Sequence, residues 1–225
     1  MTLKKSQINE IIDAFQIMFP DAFCELKHSN PFELVIAVLL SAQCTDVMVN
    51  KVTATLFQKY KTPEDYLAVE IETLMEDIKQ IGLFRNKAKH IQQLCHQLLQ
   101  NYDGVVPSTR EELVTLAGVG RKTANVVIST AFGVPAFAVD THVERVAKRL
   151  GLAKIDDDVM RVETKVMKLF PESMWTALHH QMIFFGRYHC KAQKPGCDVC
   201  PLLHLCKEGK QRMGIPLRKR KNVQP

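Results

Sequence analysis

The sequence lacks any long apolar run, which excludes several classes of protein at the outset. Its longest apolar stretch, LVIAVLL at residues 34–40, is far shorter than a membrane-spanning helix. The first residues, MTLKKSQINE, lead into no apolar core of an export signal, so we expect a protein that is not exported. Low-complexity segments and internal repeats are absent, and the apolar periodicity is helical nearly everywhere. The 225 residues, 46% of them hydrophobic, therefore predict a helical globular protein with one large core or two modest ones.

Acidic residues are scarce at the C-terminal end of the chain. From Arg187 onward ten Lys and Arg residues face two acids, although the formal net charge of the whole chain is only +6. Such an asymmetry indicates either a solvated basic tail, here residues 212–225, or a contact with a polyanion.

Cysteine is concentrated in one segment, CKAQKPGCDVCPLLHLC. Three other cysteines have apolar neighbours, which indicates small buried thiols. The clustered four, with the spacing C-x6-C-x2-C-x5-C, are Cys190, Cys197, Cys200 and Cys206. Without an export signal, this clustering favours a metal site over disulfides. The spacing leaves two centres open: zinc, which His189 or His204 can also ligate, and an iron–sulfur cluster.

Several helix starts carry polar capping residues. Asn30 is a cap for the apolar stretch that follows it, and Thr45 or Asp46 is a cap for the next helix. Ser108 and Glu111 have the spacing of a capping box before a further helix. These signals predict a chain of short helices separated by tight joins.

The stretch LAGVGRKTANVV lies between two of these predicted helices and forms a very tight turn. Gly118 and Gly120 lack the Cβ atoms that would keep another backbone at a distance. The amides from Val119 to Lys122 belong to a helix N-terminus, which binds phosphate, and Arg121 adds positive charge. The alternative is a compact turn without a ligand. We predict a site for the nucleic-acid backbone.

Together with this turn, four other motifs and the cysteine spacing resemble endonuclease III, a family of helix-hairpin-helix DNA glycosylases. The four motifs are LLSAQCTD (39–46), IGLFRNKA (81–88), VDTHVERV (139–146) and FGRYHC (185–190). The resemblance covers nearly the whole chain and departs at Ala117, where the family has proline. It implies an all-α, two-domain fold with a six-helix barrel and an iron–sulfur domain. The implied bounds are 23–133 for the barrel, about 108–132 for its hairpin, and 1–22 with 134–211 for the iron–sulfur domain.

The resemblance also implies a bifunctional DNA glycosylase and AP lyase of base excision repair. Its substrates would be oxidised pyrimidines in duplex DNA, and the four clustered cysteines would hold a [4Fe–4S] cluster. We expect a monomer in the bacterial cytoplasm, associated with the nucleoid through DNA and with no membrane partner. The alternatives are a non-catalytic iron–sulfur DNA-binding protein and a related glycosylase of adenine or mismatch specificity. Lys122 argues against the adenine glycosylase, which needs no lysine there.

Lys122 and Asp140 are the predicted catalytic residues. The positive end of a helix dipole disfavours a charged amine, and only a neutral amine attacks carbon. By resemblance, Lys122 attacks C1′ and forms an imine that undergoes β-elimination. Asp140 also suits a purely structural helix N-cap. The intervening chain is long enough to return Asp140 to Lys122, and the resemblance gives Asp140 a catalytic part, which we predict is to stabilise the cationic sugar and accept a proton.

A base inside a duplex must leave the stack before its sugar is attacked, and the vacated space must be filled. Gln43 and Leu83 match the family positions that enter this space. Their alternatives are an ordinary turn residue and a side chain that packs under the next helix. His142 is a candidate for the nucleotide pocket or a surface residue. Lys191 and Lys194 are candidates for phosphate contacts.

Overall fold

A computed structural model describes residues 3–216, and within this range the secondary structure is helical, without strands. None of the helices in this range is both long and apolar enough to span a membrane. In chain order the α-helices are α1 Lys5–Met18, α2 Pro31–Ser41, α3 Asp46–Lys59, α4 Pro63–Ala68, α5 Ile71–Asp77, α6 Phe84–Tyr102, α7 Arg110–Leu113, α8 Arg121–Ala131, α9 Thr141–Leu150, α10 Val159–Leu169, α11 Trp175–Phe184 and α12 Lys207–Arg212.

Two of the predicted N-caps are present in the structure. Asn30 Oδ1 accepts a hydrogen bond from the Glu33 amide at 2.9 Å, and α2 begins at the next residue. Thr45 Oγ1 accepts from the Met48 amide at 3.3 Å, so Thr45 rather than Asp46 caps α3. Both side chains satisfy an amide of the first helical turn, which has no partner inside the helix.

The capping box predicted at Ser108 and Glu111 is wrong by one residue. Thr109 is the N-cap of α7, and its Oγ1 accepts from the Glu112 amide at 3.3 Å. The extended backbone of Thr109 directs its hydroxyl to that amide. Threonine followed by glutamate three residues later fits the same pattern as the predicted pair, so the sequence offered two overlapping solutions.

The chain divides into two compact units. The central unit is Cys24–Ala138, and the terminal unit combines the described parts of Met1–Phe23 and Val139–Pro225. The boundary that we predicted after residue 133 differs from this division. Asn125 Nδ2 donates to the Phe137 carbonyl oxygen at 3.0 Å and ties the following segment to α8.

The central unit contains six helices of six or more residues, α2 to α6 and α8, together with the four-residue α7. Its core is built around α2, in which every residue from Phe32 to Leu40 except Glu33 is buried. Burial on all sides explains why residues 34–40 are continuously apolar rather than amphipathic. The apolar side chains of α8 pack against α2, which fixes the start of α8 on a rigid support.

The terminal unit is built around the contact between α1 and α11. Helix α1 buries a stripe that includes Ile11 and Phe15, and the Phe15 ring lies 5.1 Å from that of Phe185. Phe185 opens a π-helical turn that extends α11 to His189, directly before Cys190. Of the predicted basic tail, residues 217–225 lie outside the described residues.

Candidate active site and metal centre

The glycine turn of the central unit has the geometry that its sequence requires. Gly118 has φ +75°, and a Cβ at this position would lie 2.9 Å from Leu39 Cδ1 and 3.0 Å from His90 Cβ. Both the left-handed backbone and the close packing therefore require glycine. At Gly120, by contrast, no described atom lies within 4 Å of an added Cβ. This second glycine faces open space, where another molecule can approach the backbone.

Helix α8 begins at Arg121, directly after this turn. Arg121 and Lys122 are both exposed, so the first turn of the helix presents two cationic side chains together with its N-terminal amides. The prediction for Val119 needs a correction. Its amide donates to the Leu116 carbonyl oxygen at 3.1 Å, and its side chain is buried, so it stabilises the turn instead of offering a donor.

Asp140 is the N-cap of α9 in the terminal unit. Its Oδ1 accepts from the amides of His142 and Val143 at 2.9 and 2.8 Å. Both bonds use one carboxylate oxygen, so the cap leaves Oδ2 for another partner. A negative charge at a helix N-terminus is favoured by the dipole, which helps to hold this carboxylate in place. The capping role and a chemical role are therefore compatible at Asp140.

His142 is half-buried in the first turn of α9. Its Nδ1 lies 3.1 Å from Arg145 Nη2. Burial is the main cause that lowers the pKa of His142; Arg145 lowers it further, and Asp140 opposes the change. The packing is tight here, because a Cβ at Gly186 would lie 2.9 Å from His142 Cβ. His142 is thus held in place near Asp140, in surroundings that favour its neutral form.

Gln43 and Leu83 share an unusual backbone conformation, which in the central unit also occurs at Asp103, the C-cap of α6. Both are exposed, and both have a left-handed backbone, with φ 54° at Gln43 and φ 59° at Leu83. Gln43 lies in the turn after α2, and Leu83 is the N-cap of α6. A non-glycine residue in this region of backbone space carries strain, which is a mark of functional sites.

The four clustered cysteines line a single cavity in the terminal unit. The cavity is small and partly open to solvent, and none of the four forms a disulfide. Among the described residues, however, no three metal-ligating side chains gather closely enough for a single metal ion. The four thiols surround a space instead of meeting at a point.

The chemistry of these thiols fits a metal centre. Burial is the main cause that raises the pKa of Cys197 and Cys206, and it raises that of Cys200 to about 11. Thiolates buried here therefore need positive charge beside them, which metal ions supply. The Gly209 amide donates to Cys206 Sγ at 3.2 Å, so this sulfur already accepts one hydrogen bond from the backbone.

Arg149, which sequence reasoning missed, organises this segment. Its Nη1 donates to the Lys191 carbonyl oxygen at 2.8 Å and lies 3.5 Å from Cys190 Sγ. Its Nε donates to Glu208 Oε2 at 3.0 Å. The partners are 41 to 59 residues away in sequence, so no local spacing could have indicated them. Arg145 acts similarly, with Nη2 donating to the Gly186 carbonyl oxygen at 2.7 Å.

Lys191 and Lys194 lie on the loop between the first two clustered cysteines. Both side chains are exposed, and Lys194 has a left-handed backbone with φ 49°. The carbonyl of Lys191 is held by Arg149, so the loop is fixed while its lysine side chains face outward. This arrangement suits contacts to an anionic backbone.

The helical fold, with its glycine turn and an exposed lysine in the first turn of the following helix, matches a class of DNA repair proteins. Residues 36–172 match the family model described as HhH-GPD superfamily base excision DNA repair protein. A structure of a thermostable thymine-DNA glycosylase, 24% identical, has the same fold with a TM-score of 0.83 over 92% of this chain and 98% of that one.

Relatives of higher sequence identity show which family of these DNA repair proteins the chain resembles most. The chain is 63% identical to Endonuclease III of Bacillus subtilis (strain 168) over 93% of its own length and 96% of that protein. It is 45% identical to Endonuclease III of Escherichia coli (strain K12), over 95% of its own length and 100% of that protein. The solved structure of a non-covalent endonuclease III–DNA complex contains a chain that is 64% identical to this one. Its TM-score is 0.93, over 95% of this chain and 100% of that one. The chain belongs to the endonuclease III family.

Membership of this family confirms the expected fold and the expected enzymatic activity. The fold is the all-α glycosylase fold, and the protein is a DNA glycosylase and AP lyase of base excision repair. The non-catalytic alternative is therefore wrong. The family generally contains iron–sulfur centres, and its solved DNA complexes support DNA binding.

Proposed function

We propose that this protein removes oxidised pyrimidines from duplex DNA and cleaves the strand 3′ to the abasic site, with Lys122 as the nucleophile. The observation that carries the proposal is the exposed Lys122 in the first turn of α8, directly behind the open Gly120. A backbone phosphate on the hairpin amides would bring the neighbouring sugar to this amine. A solved relative, 64% identical, is a trapped endonuclease III–DNA covalent intermediate, which supports a nucleophile on the protein.

In the proposed reaction, the neutral Lys122 amine attacks C1′ of the damaged nucleotide. A C1′–N bond to lysine forms while the bond from C1′ to the base breaks, and the base leaves with its electron pair and a proton. Opening of the sugar ring gives an imine between Lys122 and C1′. Loss of a proton from C2′ then expels the 3′ phosphate by β-elimination, and water releases the enzyme.

We assign Asp140 to the cationic stages of this reaction. A carboxylate stabilises the positive charge that develops on the sugar as the base leaves, and it can accept a proton afterwards. The two amides that hold Oδ1 fix the carboxylate before the substrate arrives, so no reorganisation is needed. His142 borders the same carboxylate, and we place it beside the extruded nucleotide as a neutral ring.

We assign Gln43 and Leu83 to the gap that the extruded nucleotide leaves. Both side chains are exposed on strained turns of the central unit, and one is polar while the other is apolar. The amide of Gln43 can pair with the edge of the opposite base, while Leu83 can stack against neighbouring bases. Leu83 is 56% exposed, so its apolar side chain remains in water unless DNA covers it.

We further propose that Cys190, Cys197, Cys200 and Cys206 hold a [4Fe–4S] cluster. The proposal is supported by four cysteines that line one cavity without a disulfide and by a family that generally contains iron–sulfur centres. The cluster would supply positive charge to the buried thiolates and fix the loop that carries Lys191 and Lys194. These two lysines would contact phosphates of the duplex.

The proposed partner is double-stranded DNA with damaged pyrimidines or abasic sites, bound by a monomer. The DNA complexes of two relatives support the nucleic acid, and the bacterial origin of the curated relatives supports a place at the nucleoid in the bacterial cytoplasm.

The test is cleavage of matched duplexes that carry thymine glycol, 5-hydroxycytosine, uracil or an abasic site. We expect cleavage at the two oxidised pyrimidines and the abasic site, with borohydride joining protein to DNA. Lys122→Gln should still bind the duplex but give no adduct, whereas Lys51→Gln, an exposed lysine of α3, should behave as wild type. Cleavage of the abasic duplex alone would refute the proposed substrate class.

A further inference from the structure

The two strained residues Gln43 and Leu83 belong to different turns, yet these turns adjoin. A Cβ at Gly82 would lie 3.4 Å from the Gln43 carbonyl oxygen, so the two turns are close neighbours, with room between them for no more than a small side chain. Left-handed conformations at non-glycine residues persist only where the surroundings hold them. The question is which group holds both turns.

Lys87, in the first turn of α6, reaches the end of α2 with its side chain. Its Nζ donates to the carbonyl oxygens of Leu40 and Ala42 at 2.9 and 2.6 Å. These carbonyls lie at the end of α2, and Ala42 directly precedes Gln43. The amide of Lys87 donates to the Leu83 carbonyl oxygen at 3.1 Å, which is the regular bond of the first turn of α6. The Lys87 side chain thus ties the start of α6, directly after Leu83, to the end of α2, directly before Gln43.

The burial of Lys87 sets it apart from an ordinary surface lysine. Only 5% of Lys87 is exposed, and burial lowers the pKa of its amine. Burying an ammonium group is costly unless its donors are satisfied. A carbonyl at a helix C-terminus can be capped at much lower cost by a glycine turn or by water. A lysine from another helix adds something that those caps do not, which is a fixed distance between the two turns.

We propose that Lys87 is a positioning residue that holds Gln43 and Leu83 in one preformed arrangement for entry into the DNA stack. This inference rests on the proposed function, because it assumes that these two side chains fill the gap. Lys87 does not touch DNA or the reacting sugar. Its contribution is that both side chains reach the gap together without further ordering of their turns.

This role predicts a defect that depends on the substrate. Lys87→Met keeps most of the length of the side chain but removes the donors. Extrusion from an intact duplex should be slowed, whereas a lesion within a bubble of unpaired bases needs little unstacking. We expect strand cleavage at an abasic site in a duplex to fall by about tenfold or more, with the bubble substrate within about twofold of wild type.

Two controls separate positioning from a general structural defect. Lys89→Met, at an exposed lysine of the same helix, should match wild type on both substrates. In a background with Gln43→Ala and Leu83→Ala, Lys87→Met should cause no further loss, because its effect passes through those side chains. A second probe is 2-aminopurine opposite the abasic site, whose fluorescence should rise with wild type and rise less with Lys87→Met.

Equal losses on duplex and bubble, additive losses in the alanine background, or a Lys87→Met protein that matches wild type would each overturn the inference. If Lys87→Met does not fold, Lys87→Arg replaces it in the same cycle, since its longer, planar group keeps the charge but changes the geometry of both bonds. The abasic duplex keeps this test independent of the damaged base. A wild-type protein inactive on oxidised pyrimidines would contradict the proposed substrate and leave the Lys87 test intact.

Discussion

In the central unit, α2 is surrounded by apolar side chains, and Leu34, Val35 and Ile36 have no exposed surface. In the cysteine segment of the terminal unit, residues 190–212, only Leu202, Cys206 and Gly209 are buried. That segment is held instead by Arg149 and, in our proposal, by a metal cluster. The comparison teaches that apolar burial orders one region, while charged contacts and, in our proposal, a metal cluster order the other. The two regions should therefore respond to different perturbations.

The largest expected difference comes from losing one cysteine in each region. Cys197→Ser should lose most of the roughly four irons per chain and expose residues 190–212 to hydrogen exchange, because the remaining thiolates lack their shared metal. Cys95→Ala, at a fully buried thiol of the central unit, should keep its iron and cost roughly 1 kcal/mol of stability. Iron analysis and exchange mass spectrometry measure both. Full iron in Cys197→Ser would contradict the ligand assignment.

The next effect separates the two roles of Asp140. Asp140→Asn keeps an acceptor for the α9 amides, so the cap should survive while base removal slows by about 10² or more. Asp158 caps α10 through the same kind of bond, 2.8 Å to the Arg161 amide. Asp158→Asn should therefore leave the rate unchanged. Single-turnover kinetics on a thymine glycol duplex decides, and equal rates in the two variants would reduce Asp140 to a cap.

A smaller effect concerns the loop between the first two clustered cysteines. Changing Lys191 and Lys194 to Glu should weaken binding to undamaged duplex and flatten the plot of log K against log salt by about 2, because two phosphate contacts are lost. Lys154→Glu with Lys168→Glu changes the charge equally at exposed lysines elsewhere in the terminal unit. An identical change of slope in both double variants would show a general charge effect instead of a DNA contact.

The smallest effect is on stability against pH. Burial lowers the pKa of His180 from 6.5 to about 4, so the unfolded chain binds a proton that the folded protein excludes between these values. Stability is therefore complete above about pH 7 and falls as pH decreases, by about 2 kcal/mol between pH 7 and pH 5. His180→Gln should lose this part of the dependence. The measurement is the free energy of unfolding of both proteins at pH 7 and pH 5. An equal decrease in the two proteins would contradict the prediction.

Local chemistry made part of this structure predictable. Asn30, Thr45 and Asp140 cap helices because short side-chain acceptors reach amides two or three residues ahead, a relation fixed by the backbone. The same rule failed at Ser108 only because Thr109 satisfies it equally well. The glycine turn was predictable for a similar reason, since φ +75° at Gly118 strongly favours glycine.

The rest depends on contacts between distant parts of the chain. Arg149 meets Glu208, and Lys87 meets Leu40, across 59 and 47 residues. Both looked like ordinary cationic residues of amphipathic helices. The left-handed backbones of Gln43 and Leu83 were also hidden, because neither residue type favours that conformation. Packing imposes these features, so spacing rules cannot reveal them.

The central claim is that the amine behind the glycine turn attacks the sugar. The most direct measurement is to reduce the reaction on an abasic duplex with borohydride, digest the adduct and locate the modified lysine by mass spectrometry. The account predicts that the sugar remnant lies on Lys122 in nearly all of the adduct, with no adduct from Lys122→Gln. A remnant on another amine, formed at the wild-type rate when Lys122 is replaced, would contradict it.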